Sequence, residues 1–224
     1  MRESSKTNAI RPAWFAEAYL QGRLIDIGAG DDLVCPWAEG FDLADGDANV
    51  ITRFRSCAAY DAVHSSHCLE HMHDPAAALR EWWALLKPGG HMVIVVPEET
   101  LYEQYHWPSV FNGDHKWTFC RTSEKSWSPR SVNIDDLFSG LPGCQVVSVV
   151  VQDNGYDHAL LGSRDHRPLA GFVTGLMICV RGFPVIGREV QRQLFVLLHS
   201  LGYLVDQTLG DALAQIQVVA RKQH

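Results

Sequence analysis

The chain of 224 residues carries a formal net charge of −7, with 46% hydrophobic and 20% charged residues, a balance that excludes disordered, fibrous and coiled-coil classes. The acidic excess argues against a nucleic-acid partner, because phosphate binding draws on Lys and Arg. The uncharged stretch Pro168 to Val180 is too short to cross a bilayer as a helix. No apolar leader is visible between Met1 and Phe15, so the expected location is cytoplasmic, and the six cysteines stand singly without a CxxC pair, so neither a Cys-rich zinc site nor a disulfide framework is expected.

In chain order, the apolar runs predict strands at Leu24 to Ile27, Gly40 to Leu43, near Val50, at Tyr60 to Val63 and at His91 to Val96. Before the last of these, Asp74-Pro75 supplies a cap and a first-turn proline, and Leu79, Trp82, Leu85 and Leu86 share a helical face. Lys87-Pro88-Gly89-Gly90 should stop that helix. Gln145 to Val151 and Ala214 to Ala220 complete seven strands. The alternation predicts βαβ units in one α/β domain spanning 1–224. Residues 152–210 read as a helical insertion or cap within it, with Val190, Leu194, Leu197, Leu198 and Leu201 on one stripe, serving core packing or a homodimer surface.

The strongest local signal is LIDIGAGDD, a strand followed by the turn Gly28-Ala29-Gly30. Glycine is needed where backbone folds tightly or approaches a ligand closely. A dinucleotide fingerprint would need a third glycine at position 33, which is Leu33, so NAD is disfavoured. Asp42 ends the next short strand, where a carboxylate either meets a ribose diol or is simply solvated.

Taken together, LIDIGAG, GFDLADGDA and YDAVHSSHCLEHMHDPAAALREWWALLKPGGHMVIVVPEE resemble a class I methyltransferase dependent on S-adenosylmethionine, of the small-molecule, methyltransferase type 11-like branch. The resemblance covers about residues 20–100, with a weaker echo to residue 151 and in the final strand. It implies a Rossmann-like, seven-stranded, mostly parallel doubly wound sheet whose last strand is antiparallel, with S-adenosylmethionine as cofactor. It assigns Asp26, Gly28, Ala29 and Gly30 to the turn at the cofactor's amino-acid end, Asp42 with Leu43 to the ribose, and Asp47-Ala48 to the adenine. Ser65, Ser66 and His67 would stand beside the sulfonium and the acceptor entrance. Only ten residues separate Gly30 from Phe41, so the usual first helix should be shortened, as in relatives that methylate cell-surface sugars. The expected acceptor is a small molecule or a saccharide.

The acceptor wall should follow the fifth strand, from Glu98 to Trp117, where Tyr102, Tyr105, His106, Trp107, His115, Lys116 and Trp117 cluster. His115 is the expected base, with Glu98, Glu99 and His106 in reserve. HCLEH also fits the H-x-x-E-H pattern of zinc hydrolases, with His67 and His71 on the metal and Glu70 as base. That reading needs a continuing helix where the sequence offers a short connection, so no metal is expected and Leu69, Glu70 and His71 read as packing beneath the cofactor. A non-catalytic module that keeps the fold for protein interaction is the rival from another class.

Overall fold

The computed structural model describes residues 3–121, 125–162 and 186–223. Its strands are β1 (Leu24–Ile27), β2 (Glu39–Phe41), β3 (Tyr60–Ser66), β4 (Leu86–Pro97), β5 (Thr118–Cys120), β6 (Ser131–Asn133), β7 (Cys144–Gln152) and β8 (Gln215–Lys222). The main sheet runs β2-β1-β3-β4-β8-β7, with β1 to β4 parallel and β8 antiparallel to both neighbours. β5 and β6 form a separate parallel pair. This is the expected mostly parallel α/β sheet with an antiparallel last strand, but it has six strands among the described residues rather than seven.

The strand expected near Val50 is the one corrected. Asp47 accepts the backbone N–H of Asn49 at 2.8 Å, and Ala48–Arg53 winds into 3₁₀ turns that bury Ile51. The Ala48 carbonyl then receives the indole N–H of Trp82 at 2.8 Å. A side chain that satisfies the backbone locally competes with a ladder, and β2 is left as the sheet edge.

Helix α1 (Glu3–Ile10) and α2 (Trp14–Tyr19) precede the sheet, and α3 (Pro75–Ala84), α4 (Glu99–Glu103), α5 (Ile134–Ser139) and α6 (Ile186–Ser200) follow in order. α3 starts as predicted, because Asp74 accepts the N–H groups of Ala76 and Ala77 and proline fills a position where no donor is needed. Leu79, Trp82 and Trp83 are buried beneath it in the core. The chain then enters β4 earlier than expected. Leu86 already pairs with Tyr60 and His91 with Ala62, so Lys87 to Gly90 bulge out of the ladder instead of preceding it.

α1 has no apolar face, and its buried residues are Ser4 and Thr7. Polar contacts hold it across the carboxyl ends of the strands: Lys6 Nζ donates to the Thr208 carbonyl (2.8 Å), Asn8 Nδ2 to the Val34 carbonyl (2.8 Å) and Gln215 Nε2 to Thr7 Oγ1 (2.9 Å). Of the expected insertion at 152–210, residues 163–185 lie outside the described residues. Within the rest, α6 buries Gln191, Phe195 and Leu198, while Val190, Leu197 and Leu201 are exposed, so the packed face is rotated from the stripe read in the sequence. No described helix is long and apolar enough to cross a membrane.

Candidate active site

In open α/β sheets ligands bind beyond the carboxyl ends of the strands, and two adjoining cavities open there. The larger, about 580 Å³, is lined by Phe41, Asp42, Asp47, Ala48, His67 and Met72 among others, a size suited to a small-molecule ligand. Its floor is the turn after β1. Gly28 has φ +75°, and a Cβ there would lie 2.6 Å from the Cβ and Sγ of Cys68. Gly30 has φ +54° and donates its N–H to Asp42 Oδ2 at 2.8 Å, so Asp42 anchors the turn while facing the cavity. Hydrogen bonds from the side chain and backbone of Asn49 hold the Asp47 carboxyl below its usual range. Burial pushes the Cys68 thiol up to about 12, which makes it a packing group rather than a nucleophile.

The smaller cavity, about 190 Å³, shares Gly28, His67 and His71 with the larger one and continues past Glu70, Tyr102 and His115. His67 stands at the junction with φ +53°, a conformation that a non-glycine residue keeps only when its surroundings enforce it. Its backbone N–H donates to the Val95 carbonyl at 2.9 Å, and its Nε2 lies 3.0 Å from Gln215 Oε1. His67 Nδ1 is 3.5 Å from Glu70 Oε1. Burial opposes charge on both groups, yet their mutual attraction outweighs it and holds Glu70 below and His67 above their ordinary values. His115 Nδ1 lies 2.7 Å from Glu103 Oε1 at the end of α4, with both side chains buried. A ring that donates Nδ1–H to a carboxylate keeps its lone pair on Nε2.

A family model described as a methyltransferase domain matches residues 7–149, more than half of the chain. The chain belongs to the methyltransferase-domain family. It is also 38% identical over 76 residues to the ubiquinone biosynthesis O-methyltransferase of Marinobacter nauticus, a match that takes in 30% of this chain and only 32% of that protein. Solved S-adenosylmethionine-dependent methyltransferases from Archaeoglobus fulgidus and Mesorhizobium loti align with 99% of this chain and with 95% and 98% of theirs, each at 16% identity and a TM-score of 0.49.

S-adenosylmethionine is the cofactor that membership of the methyltransferase-domain family brings, and the larger cavity fits it. Phe41, Ala48 and Met72 give apolar wall for a planar base, Asp42 offers acceptor oxygens for a diol, and the turn at Gly28 brings bare backbone to the junction of the two cavities. Gly28, Asp42, Leu43, Asp47, Ala48 and His67 line this cavity, whereas Ala29 and Ser66 line the smaller one.

Three of the expected methyltransferase residues line neither cavity. Asp26 is buried, accepting the Val34 N–H at 2.7 Å and pairing with His64 at 2.6 Å, and so shapes the turn from below. Ser65 donates its hydroxyl to the Ile27 carbonyl at 2.8 Å, and Gly30 acts through Asp42. His115 lines the smaller cavity, whereas Glu98, Glu99 and His106 do not. Glu98 caps α4 by accepting the Leu101 N–H, Glu99 accepts hydroxyls from Thr118, Ser126 and Ser131, and His106 bonds the Gln104 carbonyl. The H-x-x-E-H arrangement is not formed, because Leu69–His71 is a single 3₁₀ turn and His67 precedes it at positive φ.

Sequence reasoning missed Glu103, Asn112 and the N-terminal Glu3 and Ser4, all at or behind the smaller cavity. It also weighed Glu70 only as packing or as the base of an H-x-x-E-H zinc site. α1 carries no apolar periodicity that could have announced its place, whereas Glu103 lies twelve residues before His115 on the segment already singled out.

Proposed function

We propose that the chain is an S-adenosylmethionine-dependent methyltransferase that acts on a hydroxyl of a small-molecule acceptor entering the smaller cavity. The observation that carries this reading is the junction at His67, where the cofactor cavity opens onto a second cavity with a buried histidine–carboxylate pair. When bound, the cofactor supplies an electrophilic methyl group for in-line displacement, so the protein's task is largely to position an acceptor. Gly28 and Ala29 border the cofactor's amino-acid end, Asp42 with Leu43 holds the ribose diol, and Asp47 with Ala48 meets the adenine. Asp26, Gly30 and Ser65 hold that turn and strand end in place, while Ser66 and His67 flank the passage.

His115 is the catalytic residue in this reading. Its Nε2 lone pair draws the proton from the acceptor hydroxyl, and Glu103 fixes the ring; assistance of this kind is worth about 10²–10⁴-fold. The oxygen acceptor is supported by the name of the partial relative, an O-methyltransferase. A cavity of about 190 Å³ admits one ring, such as a single sugar or the end of a longer molecule. Pairing of two copies through Val190, Leu197 and Leu201 belongs to the same reading and is tested by sedimentation at rising concentration.

Thermal-shift titration with S-adenosylmethionine and S-adenosylhomocysteine tests the first step, since ligand at a hundred times its dissociation constant stabilises a fold by about 2.7 kcal/mol. No response in folded, ligand-free protein refutes the proposal. Binding without formation of S-adenosylhomocysteine from any hydroxylated acceptor pool would favour the non-catalytic module instead.

A further inference from the structure

Glu70 is fully buried at the smaller cavity, and neither of its carboxylate oxygens has a hydrogen-bond partner. His67 comes only to 3.5 Å. His67 offsets the charge without a hydrogen bond at that distance, so both oxygens keep unfilled lone pairs that an ion in the cavity would complete. Two further donors face it. His71 Nδ1 lies 3.1 Å from the Asp114 carbonyl oxygen, and His115 Nδ1 lies 2.7 Å from Glu103 Oε1. Each ring therefore commits Nδ1–H to an oxygen behind it and keeps a lone pair on Nε2.

His71 Nε2 is 4.0 Å from Glu70 Oε1, and the two rings meet edge to face with centroids 5.1 Å apart. One donor atom from each of Glu70, His71 and His115 lies within 4.8 Å of the others, the one such cluster among the described residues. Both imidazoles are backed, His71 by a backbone carbonyl and His115 by a carboxylate, and His71 turns its Nε2 toward Glu70, which is the outer-shell support of metal-binding histidines. We propose that Glu70, His71 and His115 bind a divalent transition-metal cation in the wall between the two cavities. Two imidazoles and one carboxylate suit zinc, iron, cobalt or nickel better than magnesium or calcium, which take all-oxygen sets.

Contraction of the triangle by about 1 Å brings three donors to about 2.1 Å from a single ion. His71, the least buried of the three, has room to make that movement. Three protein ligands leave coordination open toward the cavity lined by Tyr102 and Asn112, where an acceptor hydroxyl can bind. The proposal rests on reading that cavity as the acceptor site, and it changes the part His115 plays from base to ligand. The acceptor's O–H bond then breaks with its proton passing to water, and the oxygen's electron pair forms the new C–O bond as the sulfonium C–S bond breaks.

The test uses the full chain, stripped with chelator and titrated with Zn²⁺ by calorimetry and with Co²⁺ by visible absorption. The expected result is one ion per chain and a ligand-field spectrum of mixed nitrogen and oxygen donors. Affinity should fall at least about tenfold in Glu70→Gln, His71→Asn and His115→Gln, and should be unchanged in His158→Asn, whose ring pairs with Asp153 outside the cavity. S-adenosylhomocysteine binding on the same stripped samples reports that each variant is folded. Stripped protein that takes up neither ion, or takes them up equally well in all three variants, overturns the metal site and leaves His115 as the base. Loss of S-adenosylhomocysteine binding in the unaltered chain bears on the methyltransferase reading alone, because the cation titration decides the metal site either way.

Discussion

The backbone N–H of Gly30 donates to Asp42 Oδ2 at 2.8 Å, so the end of β2 holds the turn that follows β1. Asp42 therefore shapes the turn from the same carboxylate that faces the larger cavity, with lone pairs left for a ligand hydroxyl. Replacing Asp42 with Ala should weaken S-adenosylhomocysteine binding by about 1.5–3 kcal/mol, a rise in Kd of about 10- to 100-fold. Asp42→Asn, which keeps an acceptor oxygen and loses the charge, should fall between. Calorimetry checks both, and an unchanged affinity in Asp42→Ala would return this residue to a purely structural part.

Gly28→Ala is expected to be costly for two separate reasons. Its φ of +75° is one that L side chains rarely adopt, and the new Cβ would sit 2.6 Å from Cys68. Strain of this kind costs about 1–3 kcal/mol, and Cys68 lines the larger cavity, so displacing it alters that wall. Urea denaturation should show the loss in stability, and calorimetry a weaker cofactor affinity. Cys68→Gly introduced alongside Gly28→Ala should recover part of the affinity; a variant as stable as the parent would show that the turn is not constrained as described.

The sheet was legible because buried, mostly apolar runs such as Leu24 to Ile27 and Met92 to Val96 contrast sharply with what bounds them. Val50 misled for a local reason: Asp47 caps a 3₁₀ turn there, and a cap outweighs the weak β-preference of Val50 and Ile51. Asp42, Asp47 and Ala48, which the resemblance assigns to the cofactor, line one cavity beyond β2. The grouping at the smaller cavity was not legible, since Glu70, His71, Glu103 and His115 meet only through tertiary folding of three segments. α1 was invisible to pattern because polar contacts, not an apolar face, hold it in place.

Stability should depend on His64 in mildly acidic solution. Its Nδ1 lies 2.6 Å from Asp26 Oδ1, its Nε2 lies 3.4 Å from Arg11 Nη2, and the ring is fully buried. Burial, aided by the Arg11 cation, holds the ring below its ordinary pKa despite the attraction of Asp26. Above about pH 6.5 the ring is neutral in both states and nothing is lost. Below it the unfolded chain binds a proton that the folded chain does not, so stability falls by up to about 1.4 kcal/mol per pH unit. Between pH 7.5 and 5.5 the wild type should lose about 1 kcal/mol more than His64→Gln in urea denaturation. Parallel pH profiles for the two proteins would contradict a neutral, buried His64.

Glu103 and His115 form another buried pair, 2.7 Å apart, and here the expected consequence is kinetic. Glu103 lies behind the ring and does not line the smaller cavity, whereas His115 does, so on the proposed function Glu103 acts through His115. His115→Gln should lower kcat by about 10²–10⁴-fold with little change in cofactor affinity, whether the lone pair serves as base or as ligand. Glu103→Gln should lower kcat by a smaller factor, because the amide can still present an oxygen to Nδ1–H but without the charge. Residues that work as a unit are strongly non-additive, so Glu103→Gln/His115→Gln should be no slower than His115→Gln alone. Single-turnover methyl transfer at saturating cofactor measures all four proteins. If the two losses simply multiply, Glu103 affects the reaction by a route other than the histidine it touches, and its part as a positioning residue is wrong.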